Sequence, residues 1–270
     1  MNYFRIGDIV TRRSYGEDIS FVIVGIMKTK EKKIIYNLRG ILYRLEADSR
    51  GEDLIMQHRK LAYYEARKSI TESKERVFKD FVHRISSRVS KKTGRILHID
   101  SSREFFNTCM NYYKEAGLIA VGRVAKESEQ PRMIRALLSQ YRSDVLVVTG
   151  HDSYKKGLSY STSLDNYKNS KYFIESVKEA RRIEPTFDRL CIFAGACQSY
   201  YEAIMGAGAN FASSPGRIMI NALDPATVSS KIALTDENII VSPKEVVKAT
   251  VSGTQGIGGI GTRGHMKVIA

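Results

Sequence analysis

The chain has 270 residues, 43% of them hydrophobic, and a formal net charge of +14. That length holds one large domain, or a small one and a medium one, and the apolar content excludes general disorder. No apolar run reaches the ~18–20 residues of a membrane span, and the opening MNYFRIGDIV lacks the basic and apolar regions of a secretory signal.

Residues 1–58 read as a small β domain. GDIVTRRS (7–14), DISFVIVGIM (18–27) and KIIYNLRGILYRLE (33–46) are strand-like runs punctuated by Gly16-Glu17-Asp18 and Gly40. A short basic β unit opening with Gly-Asp-x-Val resembles SH3-like barrels. Residues 59–94 read as a basic helical connector. Val77, Phe78, Phe81, Val82, Ile85 and Val89 recur at helical spacing, and SKKTGR (90–95) ends the pattern. Residues 59–95 carry 12 Lys or Arg against 4 Asp or Glu, so much of the net charge lies there. A solvated helix face is the plainer meaning, and a nucleic acid or acidic surface the sharper one.

From residue 95 strands and helices alternate. RILHI, LIAVGRVA, DVLVVTG, RLCIFAG and RIMINAL read as strands. The segments between them, and DPATVSSKIAL after the last, read as helices, with Asp224 as an N-cap. Short apolar strands separated by helices predict a mostly parallel sheet covered on both faces over 95–270. In such sheets chemistry gathers beyond the carboxyl ends of the strands. Asp100, His151 and Cys197 all stand at that edge.

VLVVTGHDSY puts His151 just past one strand, and CIFAGACQS puts Cys197 just past the next, 46 residues later. A thiol and an imidazole on neighbouring strand ends are the minimum apparatus for a cysteine nucleophile. A cysteine at such a strand-to-helix turn is expected to be exposed, a following helix would lower its pKa, and the GAC turn offers backbone N–H groups to an oxyanion. Cys109 falls in a helical pattern and Cys191 inside a strand, where a free cysteine is usually a small hydrophobe. The three cysteines suit neither a disulfide framework nor a C-x-x-C metal pair. The histidines are not grouped at ligand spacing, so no metal or other cofactor is expected. GIGGIG (256–261) fits a dinucleotide fingerprint in letters alone, has no room for the strand–helix unit, and reads as a flexible loop.

A histidine after one strand and Ala-Cys after the next resembles the caspase-like cysteine peptidases: caspases, legumain, gingipain and clostripain. Those proteins usually have Gly after the histidine, where this chain has Asp152. The stretches MNYFRIGDIVTRRSYGEDISFVIVGI, VTGHDSY, GACQSYYEAI and GANFASSPGRIMINALDP resemble the YabG family of sporulation peptidases from spore-forming Firmicutes. The resemblance implies a caspase-like fold and a cysteine endopeptidase with His151 and Cys197 as its dyad. The oxyanion would be held by the backbones of Asp152 and Cys197. It further implies spore-coat and cortex-associated protein substrates cut beside Arg or Lys, in the mother cell and the developing coat. A basic P1 residue needs a carboxylate. Asp100 is the first choice for that S1 site and Asp152 and Asp224 the second, with N-capping of the next helix as the alternative role for Asp100. Basic runs within the chain are expected autocleavage sites. The rival reading is a non-enzymatic RNA- or spore-surface-binding protein built on the basic N-terminal part.

Overall fold

The structure is a computed structural model and describes residues 4–84, 91–154 and 163–268. The chain divides into two compact units, Met1–Glu72 and Ser73–Ala270. Among the described residues no helix is long and apolar enough to cross a membrane.

The first unit is an antiparallel sheet of β1 (Ile9–Arg12), β2 (Phe21–Lys28), β3 (Ile34–Gly40), β4 (Glu46–Arg50) and β5 (Leu54–Met56), in the order β4-β3-β2-β1-β5. The third apolar run of the sequence, 33–46, is therefore one strand that ends at Gly40 and a turn that leads to the next strand, which starts at Glu46. A Cβ at Gly40 would sit 2.6 Å from the Tyr43 carbonyl, so the tight turn there requires glycine. Phe4, Val10, Phe21, Ile23, Tyr36, Leu38 and Leu54 form the core. Alternation along β3 sends Tyr36 and Leu38 inward and leaves Asn37 and Arg39 on the other face. Helix α1 (Arg59–Arg84) begins in this unit and runs into the second. The positions Ile85 and Val89, expected on the same helix, lie outside the described residues.

The second unit is a three-layer α/β arrangement. Its strands are β6 (Lys91–Lys92), β7 (Ile96–Asp100), β8 (Ala120–Val124), β9 (Val145–Thr149), β10 (Cys191–Ala194) and β11 (Phe211–Ser213), followed by β12 (Ile240–Val241), β13 (Ile257–Gly259), β14 (Thr262–Arg263) and β15 (Lys267–Val268). The main sheet runs β13-β11-β10-β9-β7-β8, parallel throughout except for β13. Helix α2 (Arg103–Glu115) follows β7, α3 (Gln130–Tyr141) follows β8, α4 (Ser170–Ile183) follows β9 and α5 (Tyr201–Gly206) follows β10. Then come α6 (Asp224–Ala233), α7 (Pro243–Ala249) and α8 (Gly253–Gly256).

Leu97, Ile99, Leu146, Val148 and Ile192 point to one face, against Ile134, Phe173 and Val177 of α3 and α4. The alternate residues of β7 point to the other face, where α2 and α6 pack. Because both faces are covered, the central strands β7, β9 and β10 are buried along their whole length. Every residue of α6 is buried as well.

Two expectations fail here. RIMINAL (217–223) is not a strand; the strand is the shorter Phe211–Ser213 before it. Its backbone instead serves the turn after β10, with the Ile218 carbonyl accepting from Gln198 N at 3.1 Å and Ile220 N donating to Cys197 Sγ at 3.2 Å. GIGGIG is not a loose loop either. Gly258 and Gly259 lie in edge strand β13, where a Cβ would meet Tyr201 Oη at 2.5 Å and Phe211 Cδ1 at 2.2 Å. The glycines make room for aromatic rings.

Candidate active site

Strands β9 and β10 are parallel neighbours, with Val148 opposite Ala194. His151 and Cys197 each stand three residues beyond that pair. Adjacent strands run ~4.8 Å apart, so both residues emerge side by side at the carboxyl edge of the sheet. Two hydrogen bonds tie the emerging loops together. Thr149 Oγ1 donates to the Gly195 carbonyl at 2.9 Å, and Ser199 Oγ donates to Asp152 Oδ2 at 3.0 Å.

The cysteine turn has unusual backbone geometry. Gly195 has φ +108° and Gln198, a residue with a side chain, has φ +57°. A Cβ on Gly195 would sit 2.6 Å from Ser213 Oγ. The left-handed residue is held because Gln198 N donates to both Ser214 Oγ and the Ile218 carbonyl. Strained residues fixed in this way gather at functional sites. Ala196 N donates to Ser199 Oγ at 2.9 Å, closing the turn around Cys197.

The surroundings of Cys197 differ from expectation in two respects. The thiol is not exposed: the residue keeps 2% of its surface, because the 217–223 segment packs across it. Nor does a helix begin at it, since α5 starts at Tyr201 and has six residues. Close to the sulfur stands a backbone amide, Ile220 N, donating at 3.2 Å. Such a bond favours a thiolate over a thiol. Cys191, by contrast, lies inside β10, and burial pushes its thiol up to about 12, partly offset by Arg181. Cys109 is fully buried on α2 and its thiol donates to the Ala222 carbonyl.

His151 is held from three sides. Its ring lies 6.0 Å from that of Phe105, its carbonyl accepts from Asn169 Nδ2 at 2.8 Å, and its Nδ1 is 3.2 Å from Ser101 Oγ. Behind Ser101 stands Glu127, which sequence reasoning missed. Glu127 Oε1 accepts from Ser101 Oγ at 2.5 Å and from His151 N at 2.8 Å, and lies 3.8 Å from His151 Nδ1. Burial pushes the Glu127 carboxyl up, but the bonds from His151 and Ser101 outweigh it and hold it at about 2. The residue occupies a short 3-10 turn, Glu127–Glu129, just beyond β8. It thus stands at the same carboxyl edge as the expected residues, at the one early strand end left out of that reading.

The three carboxylates expected at S1 have separate places. Asp100 is fully buried; its Oδ1 accepts from Ser102 N at 2.9 Å and its Oδ2 lies 3.5 Å from His98 Nε2. It does not cap α2, whose N-cap is Ser102. Asp152 accepts from Ser153 N, Asn169 N, Ser170 Oγ and Ser199 Oγ. Burial raises its carboxyl, and those four bonds only partly offset the rise. Asp152 is therefore a brace between the histidine and cysteine loops. Asp224 is the first residue of α6 rather than its N-cap, and accepts from Val251 N and Ser252 N. Burial raises it to about 6. It touches neither His151 nor Cys197 through any of these bonds. Among the described residues no group of three or more His, Cys, Asp or Glu side chains is placed to hold a metal ion.

Set beside known proteins, the chain is a peptidase, since a family profile described as YabG peptidase U57 matches residues 5–270. It belongs to that family. The sporulation-specific protease YabG of Bacillus subtilis (strain 168) is 37% identical over 281 residues, covering 98% of this chain and 97% of the relative. Among solved structures, the A domain of carboxylic acid reductase from Segniliparus rugosus matches 75% of this chain and 24% of its own at 11% identity and a TM-score of 0.30. That likeness is too slight to bear on fold or function.

Proposed function

We propose that the protein is a cysteine endopeptidase that acts during sporulation, with Cys197 as nucleophile and His151 as its acid and base. The observation that carries this is the register: Val148 opposite Ala194 brings the two residues to equal positions past adjacent parallel strands. The strand order supports a caspase-like arrangement. Five parallel strands run 2-1-3-4-5 counted from β7, and an antiparallel sixth closes the edge. The order β4-β3-β2-β1-β5 of the first unit likewise suits an SH3-like barrel.

In the reaction, the His151 ring takes the thiol proton and the thiolate attacks the scissile carbonyl carbon. The carbonyl oxygen becomes an oxyanion. The reading assigns the oxyanion to the backbone N–H groups of Asp152 and Cys197, the first at the residue after the histidine and the second in the Gly-Ala-Cys turn. Collapse expels the amine, which takes its proton from the imidazolium and leaves a thioester on Cys197. Water, deprotonated by His151, then releases the acid and restores the thiol.

Cleavage after Arg or Lys, in spore-coat and cortex-associated proteins and slowly within the chain itself, belongs to the same reading. Its S1 carboxylate is assigned first to Asp100, at the carboxyl end of β7 and next to Ser101, with Asp152 and Asp224 as second choices.

Replacing Cys197 by Ala and His151 by Ala tests the dyad on a basic peptide substrate. Each change is expected to abolish cleavage while the melting curve persists, and the double change to cost little more than either alone. Full activity in Cys197→Ala would overturn the reading.

A further inference from the structure

We propose that Ser101 and Glu127 are the positioning residues of His151: Ser101 fixes which ring nitrogen carries the hydrogen, and Glu127 stabilises the imidazolium. The role rests on the Cys197–His151 reading above.

The hydrogen inventory is decisive. A serine hydroxyl has one hydrogen, and an ionised carboxylate only accepts. Ser101 Oγ gives its hydrogen to Glu127 Oε1 at 2.5 Å, so its oxygen meets His151 Nδ1, 3.2 Å away, as an acceptor. Nδ1 must then carry the ring hydrogen. A neutral imidazole has one N–H, which leaves the lone pair on Nε2. Nε2 is thus the atom that takes the thiol proton. The S–H bond of Cys197 breaks, Nε2–H forms, and a thiolate faces an imidazolium with no atom gained or lost. The new positive charge is spread over a ring whose Nδ1 lies 3.8 Å from Glu127 Oε1. The depressed pKa of Glu127, about 2, keeps that carboxylate charged over any working pH.

The same Oε1 also accepts from His151 N at 2.8 Å, so one oxygen references both the backbone and the ring of the histidine. The glycine before the histidine fits this construction. A Cβ on Gly150 would sit 2.5 Å from Glu127 Oε1 and 2.6 Å from Ser101 Oγ. Glu127 and Ser101 cross directly over the backbone there, where a side chain would displace them.

The test reads the tautomer in the resting protein by NMR of ¹⁵N-labelled histidine, with the His151 signals assigned by their loss in His151→Ala. The wild type is expected to carry its hydrogen on Nδ1. Ser101→Ala is expected to admit the Nε2–H form and to lower kcat by roughly 10²-fold with a much smaller change in KM. Ser101→Thr, which keeps the hydroxyl, should restore both. Glu127→Gln should keep the tautomer, because an amide oxygen can accept the same two bonds. It should nonetheless slow both kcat and iodoacetamide alkylation of Cys197 by about tenfold or more. An Nε2–H wild type, or a Ser101→Ala protein with unchanged tautomer and kcat, would overturn the positioning role even where Cys197→Ala has abolished proteolysis. Activity surviving in Cys197→Ala would overturn the peptidase reading, and the positioning role with it.

Discussion

Among the described residues two histidines each lie beside a carboxylate, and the proposed chemistry uses only one. His98 sits within β7, fully buried, with Nδ1 2.9 Å from Tyr113 Oη and Nε2 3.5 Å from Asp100. Tyr113 in turn meets Ser229 of α6 at 2.9 Å, so the cluster ties α2 and α6 to the sheet. His151 stands just beyond β9, with Glu127 and Ser101 behind it and Cys197 on the next loop. Both ring nitrogens of the inner histidine, His98, lie within reach of a polar partner, as buried polar groups generally do. What separates the two clusters is place along the strand: inside the sheet a histidine–carboxylate pair is cement between layers, and beyond the carboxyl edge it can meet a substrate.

The sharpest way to break this contrast is Asp100, which belongs to the inner cluster by contact and to the outer one by sequence. As the S1 carboxylate it would meet a desolvated cation, and Asp100→Asn should lower kcat/KM for Arg peptides by roughly 10²-fold while sparing matched Gln peptides. As cement only, the change should lower the melting temperature and affect both peptides equally. An unchanged Arg-to-Gln ratio moves the assignment to Asp152 or Asp224.

Gly150→Ala probes the outer cluster without replacing any of its side chains. The added carbon displaces Ser101 and Glu127. A loss in kcat of about tenfold to a hundredfold is expected in steady-state assays, with a small change in melting temperature. The inner cluster should answer in the opposite sense. His98→Phe leaves Tyr113 and Asp100 short of a partner in a closed space, at a cost of about 1–3 kcal/mol. Thermal or denaturant unfolding should show that loss, while kcat of the folded fraction stays near the wild-type value.

The smallest effect concerns pH. Glu127 is depressed from 4.5 to about 2 on folding. Its contribution to stability is therefore present above pH ~4.5 and lost as pH falls through ~2. The melting temperature of Glu127→Gln should lie below the wild type at neutral pH, and the gap should narrow on acidification toward pH 2.

Much of this was legible in the sequence, for physical reasons. Alternating short apolar runs and amphipathic helices specify a parallel sheet, and such a sheet sends His151 and Cys197 to one edge whatever the detailed packing. What escaped was set by contacts distant in sequence. RIMINAL has the apolar content of a strand, but its backbone groups go to Gln198 and Cys197 instead of a ladder. The true strand, Phe211–Ser213, is three residues long and looks like loop. Glu127 lies 24 residues before His151 on a different loop, and only the folded register of β8, β7 and β9 brings it there. Asp152 was legible as a site-adjacent acid but not as the brace to Ser199 that the structure makes it.

The most direct test of the central claim is site-resolved alkylation of the native protein. All three cysteines are free and buried, so exposure alone does not favour any of them. Brief treatment with iodoacetamide, followed by peptide mass spectrometry, should label Cys197 far faster than Cys109 or Cys191. That advantage should disappear in His151→Ala, and loss of activity should track labelling of Cys197 one for one. Equal labelling of the three thiols, or a Cys197 rate unchanged by His151→Ala, would contradict a Cys197–His151 dyad.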